Sequence, residues 1–284
     1  MKQLKSGLFS CTGNKVDYCS LLEIAKDMGF QSVELYQYDD LKTADINVAK
    51  RIGERAKELN IAICCQSVGL DFVDYNRDEQ IAKGKAFVDV AQAAGSPSIQ
   101  FSLFGDLKQR KEGLPLGKLL AYLAPAVREI CAYAADHGVA CLCENQGFYM
   151  NGIEPMERLL EAVDHPNFGL VADLGNILFV GETPERYVGY FAPVIKHVHV
   201  KNFLRWRDEN DGAKPEGWIL SRAGEYLFKT ELRKGFVDLK KSFRILEAAG
   251  YEGWYAIENT LLNRREQMQD DLNFMVEEYQ KALR

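Results

Sequence analysis

Eight short β-rich segments separated by amphipathic helical patterns predict an α/β fold closed into a parallel (β/α)8 barrel, a TIM barrel. Two further observations favour closure over an open sheet. Four successive segments in the second half of the chain each end in a residue able to bind a metal, the matching strand-end chemistry from which a parallel barrel builds one site. The turn after the first segment, FSCTGNKVDY, carries neither G-x-G-x-x-G nor a Walker pattern, where a doubly wound sheet usually keeps its phosphate-binding glycines.

The chain has 284 residues. That somewhat exceeds the ~250 typical of one barrel and is ample for a single large core. No Pro/Ser-rich linker or low-complexity run divides it, so residues 1–284 read as one domain. The strands are expected near Lys5–Phe9, Ser32–Tyr36, Ile61–Gln66, Ser98–Ser102, Val139–Glu144, Phe168–Asp173, Ile195–Val200 and Trp254–Glu258. A recurring unit precedes them. Leu21, Leu22, Ile24, Ala25 and Met28 fall at helical spacing, Gly29 stops that helix, and SVELY follows. Asn60, Gly95, Gly138 and Gly250 stop the later copies in the same way.

The formal net charge of −6 argues against nucleic acid as the main partner, because phosphate binding needs a basic face. The N-terminal MKQLKSGLFSCTGN lacks the apolar core of a signal peptide, and no apolar run is long enough to span a bilayer. The expectation is a cytoplasmic protein with no membrane partner. Seven cysteines, with no C-x-x-C pair, read as buried thiols in a reducing compartment rather than as a disulfide framework.

The four strand ends carry Glu144, Asp173, His199 and Glu258. Side chains alternate along a strand, so an inward Glu144 turns Leu142 and Ala140 inward and sends Cys141 and Cys143 to the outer helices. Likewise Val171 and Gly169 lie beneath Asp173, and Ala256 and Trp254 beneath Glu258. An acid above an apolar column belongs at the barrel mouth, since an unpaired charge deeper down is very costly. His197 shares the parity of His199 one layer lower and reads as a hydrogen-bonded core histidine. Lys201, also in phase, either neutralises a substrate oxyanion or phosphate or forms a salt bridge to one of the acids. Oxygen and imidazole donors suit Mn²⁺, Mg²⁺, Co²⁺ or Zn²⁺.

The other half of the mouth is left for an organic substrate. Its strand ends offer Glu34, Gln66 and Gln100 to bond hydroxyls, with Glu34 equally suited to bracing the barrel. Residues 202–237 form a long insertion in the seventh unit, with Arg205, Trp206, Arg207, Trp218 and Arg222. A connection of that length reads as a lid contributing Arg205 and Trp206 to substrate, the alternative being a surface that packs on a neighbouring subunit.

These motifs resemble those of the sugar phosphate isomerase/epimerase superfamily, the xylose isomerase-like TIM barrels. Glu144-Asn145-Gln146-Gly147 is similar to its E-N-H-G segment, Asp173-Leu174-Gly175-Asn176 to its D-x-G-H/N, and His197-Val198-His199-Val200-Lys201-Asn202 to its H-x-H-x-K-D. Ala256-Ile257-Glu258 resembles its closing strand, and Gly235-Phe236-Val237-Asp238 its G-x-V-D that starts the last helix. The likeness runs over essentially the whole chain. It implies one divalent metal, Mn²⁺ first with Mg²⁺, Co²⁺ or Zn²⁺ as alternatives, held by Glu144, Asp173, His199 and Glu258. It also implies that Glu144 and Glu258 move protons on opposite faces of a sugar. Gln146 replaces the usual His, Asn176 stands where several epimerases have a substrate-binding His, and Asn202 replaces the usual Asp. These departures bear on the substrate more than on the metal.

The expected activity is a divalent-metal-dependent isomerase or epimerase of a sugar, sugar phosphate or keto-polyol, working by proton transfer through a metal-bound enediolate. The alternatives are an inosose-type dehydratase, an endonuclease IV-like apurinic nuclease and a non-catalytic sugar-binding barrel. The nuclease needs a histidine-rich three-zinc cluster, and this chain has four histidines, of which His137 and His165 follow helical segments. The resemblance further implies a homodimer or homotetramer.

Overall fold

The computed structural model describes residues 3–10, 17–104, 115–206, 216–259 and 264–284, and Arg207 of the insertion lies outside them. The chain alternates strand and helix: β1 (Ser6–Ser10), α1 (Tyr18–Asp27), β2 (Ser32–Tyr36), α2 (Ile46–Leu59), β3 (Ala62–Gly69), α3 (Arg77–Ala94), β4 (Ser98–Ser102), α4 (Leu116–Asp136) and β5 (Ala140–Glu144). It continues through α5 (Ile153–Val163), β6 (Phe168–Asp173), α6 (Pro184–Phe191) and β7 (Ile195–Val200). The short strands β8 (Asn202–Trp206), β9 (Ile219–Leu220) and β10 (Tyr226–Thr230) then precede α7 (Leu239–Ala248), β11 (Trp254–Asn259) and α8 (Arg265–Ala282).

Eight of the strands close a parallel barrel in the order β1-β11-β7-β6-β5-β4-β3-β2. The expected stop residues account for the repeat. Asn60 and Gly95 end α2 and α3 in the left-handed region, at φ 50° and 76°, and turn the chain directly into the next strand. Side-chain oxygens of Asp17, Asp45 and Asn76 accept from the first free amides of α1, α2 and α3. Asp238 does the same for α7 by accepting from Lys241 N. The Gly235–Asp238 motif therefore starts the penultimate helix, before β11, and not the last one.

Alternation along the strands divides the molecule into two layers. Cys141, Cys143, Leu170, Ala172, Val198 and Val200 face outward and join the helices in one continuous apolar core. The six described cysteines are free thiols, and five of them are buried. Burial pushes the Cys64, Cys65, Cys141 and Cys143 thiols well up, so they are neutral packing groups.

Two regions depart from expectation. β3 runs on to Gly69, three residues past the expected end, and pairing between β2 and β3 shifts register at Val33/Glu34. The insertion forms its own antiparallel sheet, ordered β8-β10-β9. Asn202 roots this sheet in the barrel. Its Oδ1 accepts from Phe203 N and Val237 N, both at 2.9 Å, and its Nδ2 donates to Leu232 O at 2.9 Å. Both ends of the insertion are thus tied to one buried amide.

Candidate metal centre

Register brings the four strand-end residues together. Asp173 pairs with His199, and His199 with Ala256, two residues before Glu258 on the same face. Glu144 enters from β5 opposite Val171. One ligand atom from each of Glu144, Asp173, His199 and Glu258 lies within 4.8 Å of all the others. Glu144, Asp173 and His199 are buried, and the Glu258 side chain is 13% exposed toward the mouth.

Asp173 and His199 are each oriented by specific neighbours. Asn145 accepts from Asp173 N at 2.8 Å and donates to Asp173 O at 3.2 Å, which locks the end of β6 to β5. Asp173 Oδ1 then accepts from the amides of Gly175 and Asn176, at 2.8 and 2.7 Å. Asp173 Oδ2 is left without a well-directed hydrogen bond, although the Lys201 ammonium lies 2.7 Å away. His199 directs Nε2 at Glu34, 3.0 Å from Oε2, and Nδ1 at Glu144, 3.1 Å from Oε1. The Phe9 ring packs 5.0 Å from the imidazole, centroid to centroid.

Three carboxylates this close repel, and the buried Lys201 and the half-buried Lys229 offset the repulsion. Lys201 Nζ sits 2.7 Å from Asp173 Oδ2 and 2.5 Å from Glu258 Oε2, and Lys229 Nζ reaches Glu258 Oε1 at 3.3 Å. Burial opposes the charge on Lys201, but Asp173 and Glu258 outweigh it and raise its pKa. Burial would likewise raise Glu258, yet Lys201 and Lys229 hold it well below the usual carboxylate range. Burial, with help from Glu258 and Glu144, pushes Asp173 up to about 7 against the pull of Lys201. The donor chemistry fits a divalent cation: hard carboxylate oxygens and one imidazole converge within 4.8 Å of one another. Gly175 keeps the approach open, since a Cβ there would overlap the Lys201 stem and the Phe203 ring.

The remaining expected contacts fall into two groups. Asn176 donates to Glu144 Oε1 at 3.1 Å and accepts from Lys201 Nζ at 3.1 Å, so it belongs to the cluster. Gln100 and Gln146 line a cavity of about 220 Å³ beside Glu144 and Glu258, and Gln146 also borders a larger one. Gln66, Glu34, Arg205 and Trp206 behave differently. Gln66 is register-paired with Leu35 and Ile99, both in the outer apolar layer, because the β2–β3 shift reverses its parity. It is therefore not a group at the mouth. The inward neighbour is Ser67, paired with Gln100.

Glu34 is wholly buried, with its oxygens engaged by Ser67, His197 at 2.7 Å and His199. Burial would raise its pKa, but His199 and His197 hold it below the usual range. It braces the barrel and the histidines rather than presenting itself to substrate. Arg205 lies over the Phe236 ring, 4.4 Å from its centroid, and 3.6 Å from Glu225, and Trp206 packs on Tyr226. Both are taken up within the insertion and line neither cavity beside the ligands. Glu34, Cys64 and His197 form a second ligand-type cluster one layer below. His197 makes its hydrogen bond to Glu34 inside the core, as its parity suggested.

Ser67, Phe9 and Lys229 were not legible as site residues. Ser67 is displaced by an unforeseen bulge, Phe9 looks like any core aromatic, and Lys229 reaches Glu258 from the insertion.

This barrel and ligand arrangement define a class. The family model described as xylose isomerase-like TIM barrel matches residues 22–278, and the chain belongs to that family. Among curated relatives it is 32% identical over 126 residues to an inosose dehydratase of Geobacillus thermodenitrificans, spanning 44% of this chain and 42% of that protein. It is 28% identical over 228 residues to an inosose dehydratase of Clostridium botulinum, spanning 75% and 73%. The first of these matches thus covers less than half of the relative's length. Solved structures share the fold. A xylose isomerase domain protein of Planctomyces limnophilus superposes with TM-score 0.77 at 19% identity, covering 99% of this chain and 98% of that one. A protein named IOLI, solved with a zinc atom, gives 0.77 at 16%, covering 98% and 99%. The 3-keto-D-glucoside 4-epimerase of E. coli gives 0.73 at 16%, covering 96% and 99%.

Proposed function

We propose that the protein is a divalent-metal-dependent enzyme that moves a proton next to the carbonyl of a small sugar, ketose or cyclic keto-polyol, with isomerisation or epimerisation as the outcome. The observation that carries this reading is the convergence of Glu144, Asp173, His199 and Glu258 within 4.8 Å at the mouth of the barrel. Asp173 and His199 are deeply buried and are suited to holding the ion. When bound, a divalent cation supplies Lewis-acid stabilisation of negative charge on substrate oxygen.

The chain's own groups account for the rest. Glu258, kept ionised by Lys201 and Lys229, is the base that takes the carbon-bound proton. Glu144 enters three strands away around the ring, so it faces the substrate from another side and returns a proton there. Lys201 Nζ is placed to neutralise the oxygen on which charge builds. Gln100 and Gln146, on the smaller cavity, offer amides to hydroxyls.

A second reading is dehydration. It is favoured by the curated relatives, which are inosose dehydratases. It begins with the same proton removal and ends by expelling water, with Lys201 as the group nearest Glu258 able to assist a departing hydroxyl. Both readings are tested with metal-reloaded protein, a panel of ketoses and keto-polyols, and deuterium oxide as solvent. Deuterium at the carbon next to the carbonyl, abolished by Glu258→Gln or Glu144→Gln in folded protein, supports proton transfer. A product lighter by one water selects dehydration. Exchange that survives both substitutions removes the assigned roles.

A further inference from the structure

Two cavities of unequal size and character adjoin the ligand cluster. The smaller, about 220 Å³, is bounded by Glu144, Gln100, Ser102 and the rings of Phe9 and Tyr36. The larger is about 590 Å³, and Gln146 and Glu258 line both. A water occupies about 30 Å³ of liquid, so the smaller space holds about seven waters' worth, the scale of one small polyol. The larger falls within the ~300–1,000 Å³ of pockets that enclose drug-sized molecules. A monosaccharide seated at the ligands would leave most of it unfilled.

The two linings differ in chemistry. In the smaller cavity Gln100 Oε1 is buried without a hydrogen-bond partner, an acceptor suited to a substrate hydroxyl. In the larger one, Phe179, Phe203, Ile219, Leu227 and Phe228 form an apolar wall. Phe179 and Phe203 meet edge to face at 5.3 Å, and with Phe148 and Leu227 they make a cluster separate from the main core. Phe228 is 42% exposed although it stacks on Trp218 at 5.5 Å. Phe179, Phe203 and Leu227 are buried, and Phe228 with the half-buried Ile219 are the members of this wall that reach solvent. An exposed apolar group beside a polar centre is a usual element of a recognition surface.

We propose that the substrate has two parts: a keto-sugar or keto-polyol that reacts in the smaller cavity, and a glycosidically linked second group with an apolar face that packs against Phe228 in the larger one. The insertion is then a specificity wall that selects glycosides over free sugars. This rests on the proton-transfer reading for the identity of the reacting part, while the size and apolar character of the second part come from the cavity alone.

The test is equilibrium binding of methyl β-D-glucopyranoside and phenyl β-D-glucopyranoside to the metal-reloaded protein. Burying a phenyl group predicts at least about tenfold tighter binding of the phenyl glycoside. Phe228→Ala, at a half-exposed position that the fold tolerates, brings that ratio down toward one. Equal affinities, no binding of either glycoside, or a ratio unmoved by Phe228→Ala would each overturn the assignment. Solvent-deuterium exchange into a free ketose, read on the same wild-type sample, separates the two claims. Exchange without a phenyl preference discards the two-part substrate and leaves proton transfer standing, whereas preference without exchange does the reverse.

Discussion

His199 Nε2 lies 3.0 Å from Glu34 Oε2, which leaves His199 Nδ1 pointing at Glu144, Asp173 and Glu258. A carboxylate behind a ligand imidazole fixes its tautomer and ring orientation and strengthens it as a donor. Glu34 is itself held by Ser67 and His197, so the orientation is built into the barrel interior. Glu34→Ala is therefore expected to weaken metal binding by about 10–100-fold. Titration calorimetry with Mn²⁺ on refolded, monodisperse protein checks this, and an affinity matching wild type would show that Glu34 has no part in presenting His199.

Lys201 joins Asp173 to Glu258 inside the protein. Removing one partner of a buried ion pair typically costs about 3–5 kcal/mol, because the remaining charges lose their counter-ion. Lys201→Met should thus destabilise the metal-free protein by about that amount. Added Mn²⁺ should recover a large share, since a cation can replace the lost ammonium. Denaturant unfolding with and without metal measures both quantities. A loss of equal size in the two conditions would mean that Lys201 does not compensate the ligand carboxylates.

Proton linkage gives a further expectation. Burial opposes charge on His199, but Glu34 and Glu144 raise its pKa well above the ordinary value, so the imidazole holds its proton near neutrality. A metal takes neutral imidazole and ionised carboxylate, so loading must release the His199 proton and, around pH 7 and below, that of Asp173 too, and affinity rises as pH rises through and beyond neutrality. Calorimetry in two buffers of different ionisation enthalpy counts the protons released. An affinity that stays flat over about pH 6 to 9 would contradict the assignment of His199 as a ligand.

Much of the fold could be read from the chain because the repeat is local. Each helix stop, such as Asn60 or Gly95, is a short-range conformational requirement, and each strand follows within a few residues. The cluster that could hold a metal was traceable for the same reason, as parity along one strand places Glu144 or Asp173 on the inner face without knowledge of its neighbours. What failed were relations between strands. The shift at Val33/Glu34 exchanges Gln66 for Ser67 on the inner face, and no single-strand pattern carries it. Arg205 and Trp206 have the chemistry of substrate contacts, but Phe236, Glu225 and Tyr226 take them up through pairings only the folded insertion creates. Lys229 reaches Glu258 by the same route, across 29 residues of sequence.

The most direct test of the central claim is metal stoichiometry. Protein stripped with chelator, reloaded with Mn²⁺ and freed of excess ion should retain one ion per chain by elemental analysis. Asp173→Ala and His199→Ala should retain none while keeping the barrel's circular dichroism. A reloaded wild type without a stoichiometric ion, or variants that hold it as tightly as wild type, would contradict the account.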